Sequence, residues 1–237
     1  MPPFEYKYIK NDNKETLIFF NGFRIEYKTW KSIYSELEKE YSLALFNRRG
    51  VGKSQKASSE QDAKNVVREI HEFILALNVQ PPYTLVAHSL GGVFANMYAR
   101  SYPEEIKSVI FVESSNPDEI IEQKKFHQPL VLNLLNKGIK KIEKLFDPLR
   151  YSEDEVIAQS ISQINSANEF PNIPVVVITG VKNMPFVPKE PFNIHLKYQE
   201  KLLELSDNSK QYFCSKSGHF PQITEPKKVV EIIKSVC

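Results

Sequence analysis

Ser89 stands where an apolar run, Tyr83 to Ala87, gives way at His88-Ser89 to Leu90-Gly91-Gly92 and a helix-compatible stretch from Val93 to Ala99. A serine on such a strand-to-helix turn is a candidate nucleophile. The turn drives its backbone to φ > 0, so the residues two before and two after must be small, here Ala87 and Gly91. The hydroxyl is thereby lifted off the sheet toward the positive end of the following helix. The chemistry this suits is acyl transfer, which needs a base to take the serine proton. Of the five histidines, His219 is best placed, because Ser217-Gly218-His219-Phe220-Pro221 follows the last expected strand and precedes the last expected helix. Its side chain would leave the same sheet edge as Ser89. His88 points elsewhere on the turn and reads as a packing or hydrogen-bonding residue. His71 and His195 lie in expected helices and read as surface or structural residues, as does His127, although His127 could touch a substrate.

The oxyanion formed in acyl transfer needs two backbone donors. One is expected from Leu90, at the helix N-terminus after the nucleophile. The other is expected from Phe23, in the loop Asn21-Gly22-Phe23-Arg24 that follows the first long apolar strand. Asn21 and Arg24 are further candidates for orienting a substrate. The glycine-rich run Asn47 to Ser54 invites a phosphate-loop reading but does not satisfy it. Only Gly52-Lys53-Ser54 fits the required tail, and Arg48 stands where the first glycine should be.

These residues need a scaffold with strands alternating with helices, which favours a parallel sheet covered on both faces. The expected strands are Phe4 to Ile9, Thr16 to Phe20, Leu43 to Phe46, Tyr83 to Ala87, Ser108 to Val112, Val175 to Ile178 and Gln211 to Cys214. Helical spacing of apolar residues appears over Tyr27 to Glu40, Asp62 to Leu77 and Lys227 to Val236. Between Val112 and Val175 the chain is too long for a simple crossover. Leu130 to Phe146 is amphipathic, and Ser152-Glu153-Asp154-Glu155 reads as a capping box opening a helix to about Asn165. The expected organisation is a core formed by residues 1–116 and 171–237, with residues 117–170 inserted as a helical lid. The apolar stripe of that lid, with Leu130, Leu134 and Ile142, suits either an acyl pocket or simple packing on the sheet.

A chain of 237 residues holds one large α/β domain or two small ones, and 41% hydrophobic with 25% charged residues is ordinary for a globular protein. The net charge of +2 gives no electrostatic reason to expect nucleic acid or an acidic membrane as partner. Cys214 and the terminal Cys237 cannot form a disulfide framework, and no run reaches membrane-spanning length, so a cytoplasmic location is expected.

The matching segments together resemble the α/β-hydrolase superfamily over nearly the whole chain. They are Phe20-Asn21-Gly22-Phe23 at the oxyanion position, Arg48-x-Gly50-x-Gly52-x-Ser54 after the next strand, Ala87-His88-Ser89-Leu90-Gly91-Gly92 at the nucleophile, and Gly218-His219 with Glu225-Pro226 behind it. The resemblance implies a mostly parallel sheet of about six or seven strands, the first strand or so of the usual eight being missing. Asn21 replaces the common His of the family, and Asn47 its common Asp. The family's usual triad acid is an Asp in the loop after the penultimate strand, and here that position holds Asn183. An amide can orient an imidazole but cannot stabilise its cation as a carboxylate does. The favoured alternative is Glu113, at the end of the preceding strand, where some branches of the family take their acid. Asp207 is a weaker third choice. The resulting expectation is a serine hydrolase of a small ester or related acyl substrate, with Ser89, His219 and Glu113 catalytic and with neither cofactor nor metal. C–C bond, amide or thioester hydrolysis with the same triad is an alternative, as is a non-catalytic ligand-binding protein on the same fold.

Overall fold

Strands that are apolar at every position must be covered on both faces, and five consecutive strands of this chain meet that condition almost without exception. In the computed structural model, which describes residues 3–12, 14–125, 140–141, 143–183 and 188–237, they form the middle of a seven-stranded sheet. The strands are β1 (Tyr6–Ile9), β2 (Thr16–Phe20), β3 (Ser42–Phe46), β4 (Tyr83–His88), β5 (Ile106–Val112), β6 (Val175–Gly180) and β7 (Ser209–Cys214). Their spatial order is β1-β3-β2-β4-β5-β6-β7, with β1 antiparallel to β3 and every other pairing parallel. This is the fold expected from the sequence.

The strand period of two sorts the core into two layers. Ile18, Phe20, Leu85, Ala87 and Phe111 face one side, where helices α2 (Ala63–Ala76) and α3 (Gly91–Ser101) cover them. Leu17, Phe19, Val86 and Ile110 face the other side, together with Trp30, Ile33 of the short α1 (Lys31–Leu37) and Val229 and Ile233 of the C-terminal helix Pro226–Lys234. The apolar run over Tyr27 to Glu40 is not one helix: a 3-10 turn, Tyr27–Trp30, precedes α1, which ends at Leu37.

Between β5 and β6 lie α4 (Pro117–Gln123), a single turn at Ser152–Glu155, and α5 (Ile157–Asn165). Ser152 does not cap a helix. Its hydroxyl instead accepts the Gln61 N–H at 2.8 Å, and Ser160 Oγ accepts that of Ala63 at 3.0 Å. A capping box does form, but at α4, where the Asn116 side chain accepts the Asp118 N–H and the Glu119 carboxylate reaches back to the Asn116 N–H. Ile157, Ile161 and Ile164 of α5 are buried in the same cluster as Val66 and Phe94, so this half of the expected lid is joined to the core. The apolar residues of the stripe, Leu130, Leu134 and Ile142, fall outside the described residues. No described helix is long and apolar enough to cross a membrane.

One buried ion pair fastens the insertion to the loop after β3, and the same arginine reaches the loop after β2. Arg48, 2% exposed, gives Nε and one terminal nitrogen to Glu153 at 2.5 and 2.9 Å, and its terminal nitrogens also donate to the Asn21 and Gly22 carbonyls at 2.7 and 3.1 Å. Truncating one partner leaves a buried charge uncompensated, so Arg48→Met is expected to lose about 3–5 kcal/mol of stability. Arg48→Met combined with Glu153→Met should recover most of that loss in denaturant unfolding; a double variant as unstable as the single one would show that the loop carbonyls, not the charge, dominate.

Candidate active site

All of the parallel strands end at one edge, and the loops leaving that edge carry the residues singled out above. Register aligns Phe20 with Ala87, His88 with Val112, Val112 with Ile178 and Gly180 with Cys214. Two close approaches without side chains draw these strand ends together. A Cβ on Gly91 would strike the Phe20 and Asn21 carbonyls, and one on Gly180 would strike the Gly218 and Ser217 carbonyls. Thus α3 begins hard against the end of β2, and the loop carrying His219 closes against the end of β6.

Ser89 has φ 52°, as the turn demands, and its carbonyl accepts N–H groups from Gly92 at 2.9 Å and Ser115 at 3.0 Å. Its Oγ is 3.0 Å from His219 Nε2. The His219 backbone carbonyl accepts His88 Nε2–H at 2.7 Å. Burial, with His219 adding to it, pushes the His88 pKa down to about 3, so this ring is neutral and serves as a single donor beneath the site. His88 is thus a packing and hydrogen-bonding residue, as its place on the turn suggested.

Beyond His219, Glu113 Oε2 lies 3.5 Å from the ring's Nδ1. Glu113 is buried and itself has φ 49°, a left-handed conformation costly for a residue with a side chain. Its Oε1 accepts the Gly180 N–H at 2.6 Å. Burial alone would raise its pKa, but hydrogen bonds from His195 and His219, the charge on His195 and the Gly180 N–H together hold it below the usual carboxylate range. Asn183 is exposed and makes no hydrogen bond with His219 among the described residues. Asp207 is also exposed, at the opposite end of β7, where it accepts from Asn172.

The loop after β2 lies against Ser89: a methyl group on Gly22 would stand 3.1 Å from Ser89 Cβ. Among the described residues, neither the Phe23 nor the Leu90 N–H donates to a protein acceptor. Asn21, which the sequence leaves open between orienting a substrate and closing a turn, is spent on the fold. It is buried, its Nδ2 donates to the Phe46 carbonyl at 2.7 Å, and its Oδ1 accepts the Trp30 indole N–H at 2.9 Å. Arg24 turns to the insertion, pairing with Glu143 at 3.6 Å and lying over the Tyr151 ring. His127 falls outside the described residues.

The glycine-rich loop closes on a carboxylate of the chain itself. Glu5 Oε2 accepts the Lys53 N–H at 2.7 Å and Asn47 Nδ2 at 2.9 Å, and Ser54 Oγ donates to the Asn47 carbonyl. An Asp at position 47 would face Glu5 with like charge, which accounts for the amide there.

His195 is the residue that sequence reasoning missed. It sits in helix α6 (Lys189–Lys201), where a polar residue in an amphipathic pattern gives no local signal of function. In the structure its Nε2 meets Glu113 Oε2 at 3.0 Å and its Nδ1 meets Glu119 Oε1 at 2.7 Å. A cavity of about 290 Å³ opens beside these groups, with His219, Phe192 and Pro191 among its walls. Among the described residues, no group of three His, Cys, Asp or Glu side chains is arranged to hold a metal ion.

A doubly covered, mostly parallel sheet, with a left-handed serine between strand and helix and a histidine reaching it from the loop after the last strand, defines a class of α/β fold with a strand-turn-helix serine. Within that class the chain belongs to the alpha/beta hydrolase fold family, whose model matches residues 15–144. The Bacillus subtilis protein YbdG is 29% identical over 119 residues, which cover 49% of this chain and 37% of YbdG. The monoacylglycerol lipase ABHD6 of Homo sapiens is 23% identical over 225 residues, covering 92% of this chain and 60% of its own. The chain therefore spans less than two thirds of the length of these relatives. Among solved structures, a marine microorganism esterase superposes with a TM-score of 0.70 at 18% identity, with all of both chains covered.

Proposed function

We propose that this protein is a serine hydrolase that cleaves a small ester or related acyl substrate through an acyl-enzyme. The observation that carries the reading is the 3.0 Å contact between Ser89 Oγ and His219 Nε2 on a serine held at φ 52°. Ser89 Oγ attacks the carbonyl carbon as its proton passes to His219 Nε2. The oxyanion accepts hydrogen bonds from the free N–H groups of Phe23 and Leu90. His219 then gives its proton to the leaving alkoxide, and the alcohol departs. Water enters, loses a proton to Nε2 and attacks the acyl carbon, and Ser89 leaves with that proton. Glu113 holds the Nδ1–H side of the ring and balances its positive charge. The lipase and esterase among the similar proteins support an ester as the first substrate class to test.

A fluorophosphonate probe should label the wild-type protein at Ser89 and leave Ser89→Ala unlabelled. Matched ester, thioester, amide and β-diketone substrates then separate the bond types open to this triad. Absence of labelling in folded protein, with a ligand raising its melting temperature but no turnover, would favour a binding protein on a hydrolase fold.

A further inference from the structure

The carboxylate that faces His219 is not free to serve it alone. Glu113 Oε2 is 3.0 Å from His195 Nε2 and 3.5 Å from His219 Nδ1, so the ring outside the expected triad is the nearer one. On its other side, His195 Nδ1 contacts Glu119 Oε1 at 2.7 Å. That carboxylate is itself fixed, by Gln123 Nε2 at 2.8 Å and by the capping contact with the Asn116 N–H. Both His195 nitrogens face carboxylate oxygens, and a neutral imidazole could satisfy only one of them. Glu113, Glu119 and most of His195 are withdrawn from water, so these contacts act in a weakly screening medium.

We propose that His195 is a positioning residue: clamped between Glu113 and Glu119, it fixes the Glu113 carboxylate for His219 and neutralises part of its charge. The inference rests on the hydrolase reading above for its catalytic consequence, though not for its electrostatic one. Burial opposes charging of His195, but the hydrogen bonds and charges of Glu113 and Glu119 outweigh burial and push its pKa up to about 10, so the ring is cationic across the working range. Other charged or titratable groups face the row from neighbouring elements. Lys182, after β6, borders the same cavity, His88 lies neutral beneath His219, and Glu122 is engaged by the Tyr198 hydroxyl further along α4 and α6.

Two substitutions should move the pH dependence in opposite directions. His195→Gln removes a cation from the oxygen that faces His219, leaves more negative charge there and favours the protonated ring. The acid limb of the kcat/KM profile should rise by about one pH unit. Glu119→Gln removes an anion and leaves His195 to Glu113 alone, so the acid limb should fall by a smaller amount. A residue that only packs would change the plateau, or the melting temperature, with the limb in place. Unmoved limbs in both variants, or shifts of the same sign, would overturn the proposal; if His195→Gln does not fold, the sign of the Glu119→Gln shift decides it alone. The same shifts should appear in an NMR titration of the His219 ring in a Ser89→Ala background, assigned by its loss in His219→Gln. That measurement needs no turnover, so a protein that hydrolyses no ester but shows the opposed shifts retains the His195 role and loses the hydrolase reading.

Discussion

Ser89→Ala is expected to lower kcat for a reactive ester by about 10⁶-fold while leaving the fold intact. The size of the effect follows from the division of labour at the site. On the proposed mechanism, removing Oγ removes the covalent intermediate and leaves only the Phe23 and Leu90 N–H groups and substrate binding to favour attack by water. Alanine can replace serine at φ 52° without a larger side chain to place, so the melting temperature should change little. Adding His219→Ala should cost almost nothing further, because a base without a nucleophile has nothing to deprotonate. Steady-state rates on one ester, with circular dichroism of each variant, check both statements. A single variant retaining more than about a hundredth of the wild-type rate would remove Ser89 from the chemistry.

Glu113→Gln should lower kcat by about 10⁴-fold, whereas Asn183→Ala should stay within about twofold of wild type. The amide keeps the shape of Glu113 and can still accept the Gly180 N–H. It brings no charge to His219, however, and offers an NH2 group that can favour the wrong tautomer of the ring. It also strips His195 of one of its two carboxylates, so the row from Glu119 to His219 loses its central anion. Asn183 is exposed and makes no hydrogen bond with the ring among the described residues. Comparable losses in the two variants, or full activity in both, would reject Glu113 as the third member.

The parts of this site that could be read from the sequence are those whose chemistry is written locally. The turn at Ala87-His88-Ser89-Leu90-Gly91 requires small residues at fixed offsets, and continuous apolar strands imply a covered parallel sheet, so sheet and serine emerge together. His219 follows from chain order once the last strand is placed. The misses are contacts between distant residues. Arg48 and Glu153 lie 105 positions apart and His195 and Glu113 lie 82 apart, and neither partner carries a local pattern that betrays the other. The role of Asn21 is open in the sequence for a related reason, since an amide beside an oxyanion loop looks the same whether it faces a substrate or, as here, Trp30 and Phe46. Ser152 had the spacing of a cap, but tertiary pairing with Gln61 took its hydroxyl. Glu119 was the one element of the missed row with a usable signal, because Asn116-Pro117-Asp118-Glu119 has the spacing of a capping box.

The absent side chains at Gly91 and Gly180 also bear on how this protein can diversify. Gly91 sits against main-chain carbonyls at the end of β2 and Gly180 against those of the loop carrying His219, which no rotamer change can move aside. A saturation library should therefore return only glycine at both positions, even under selection for folded protein alone. On the proposed function, change toward new substrates is closed at these two joints, whereas Pro191 and Phe192 line the cavity with side chains rather than backbone. On that reading, the backbone joints that hold Ser89 and His219 and the side chains that line the cavity occupy separate stretches of chain.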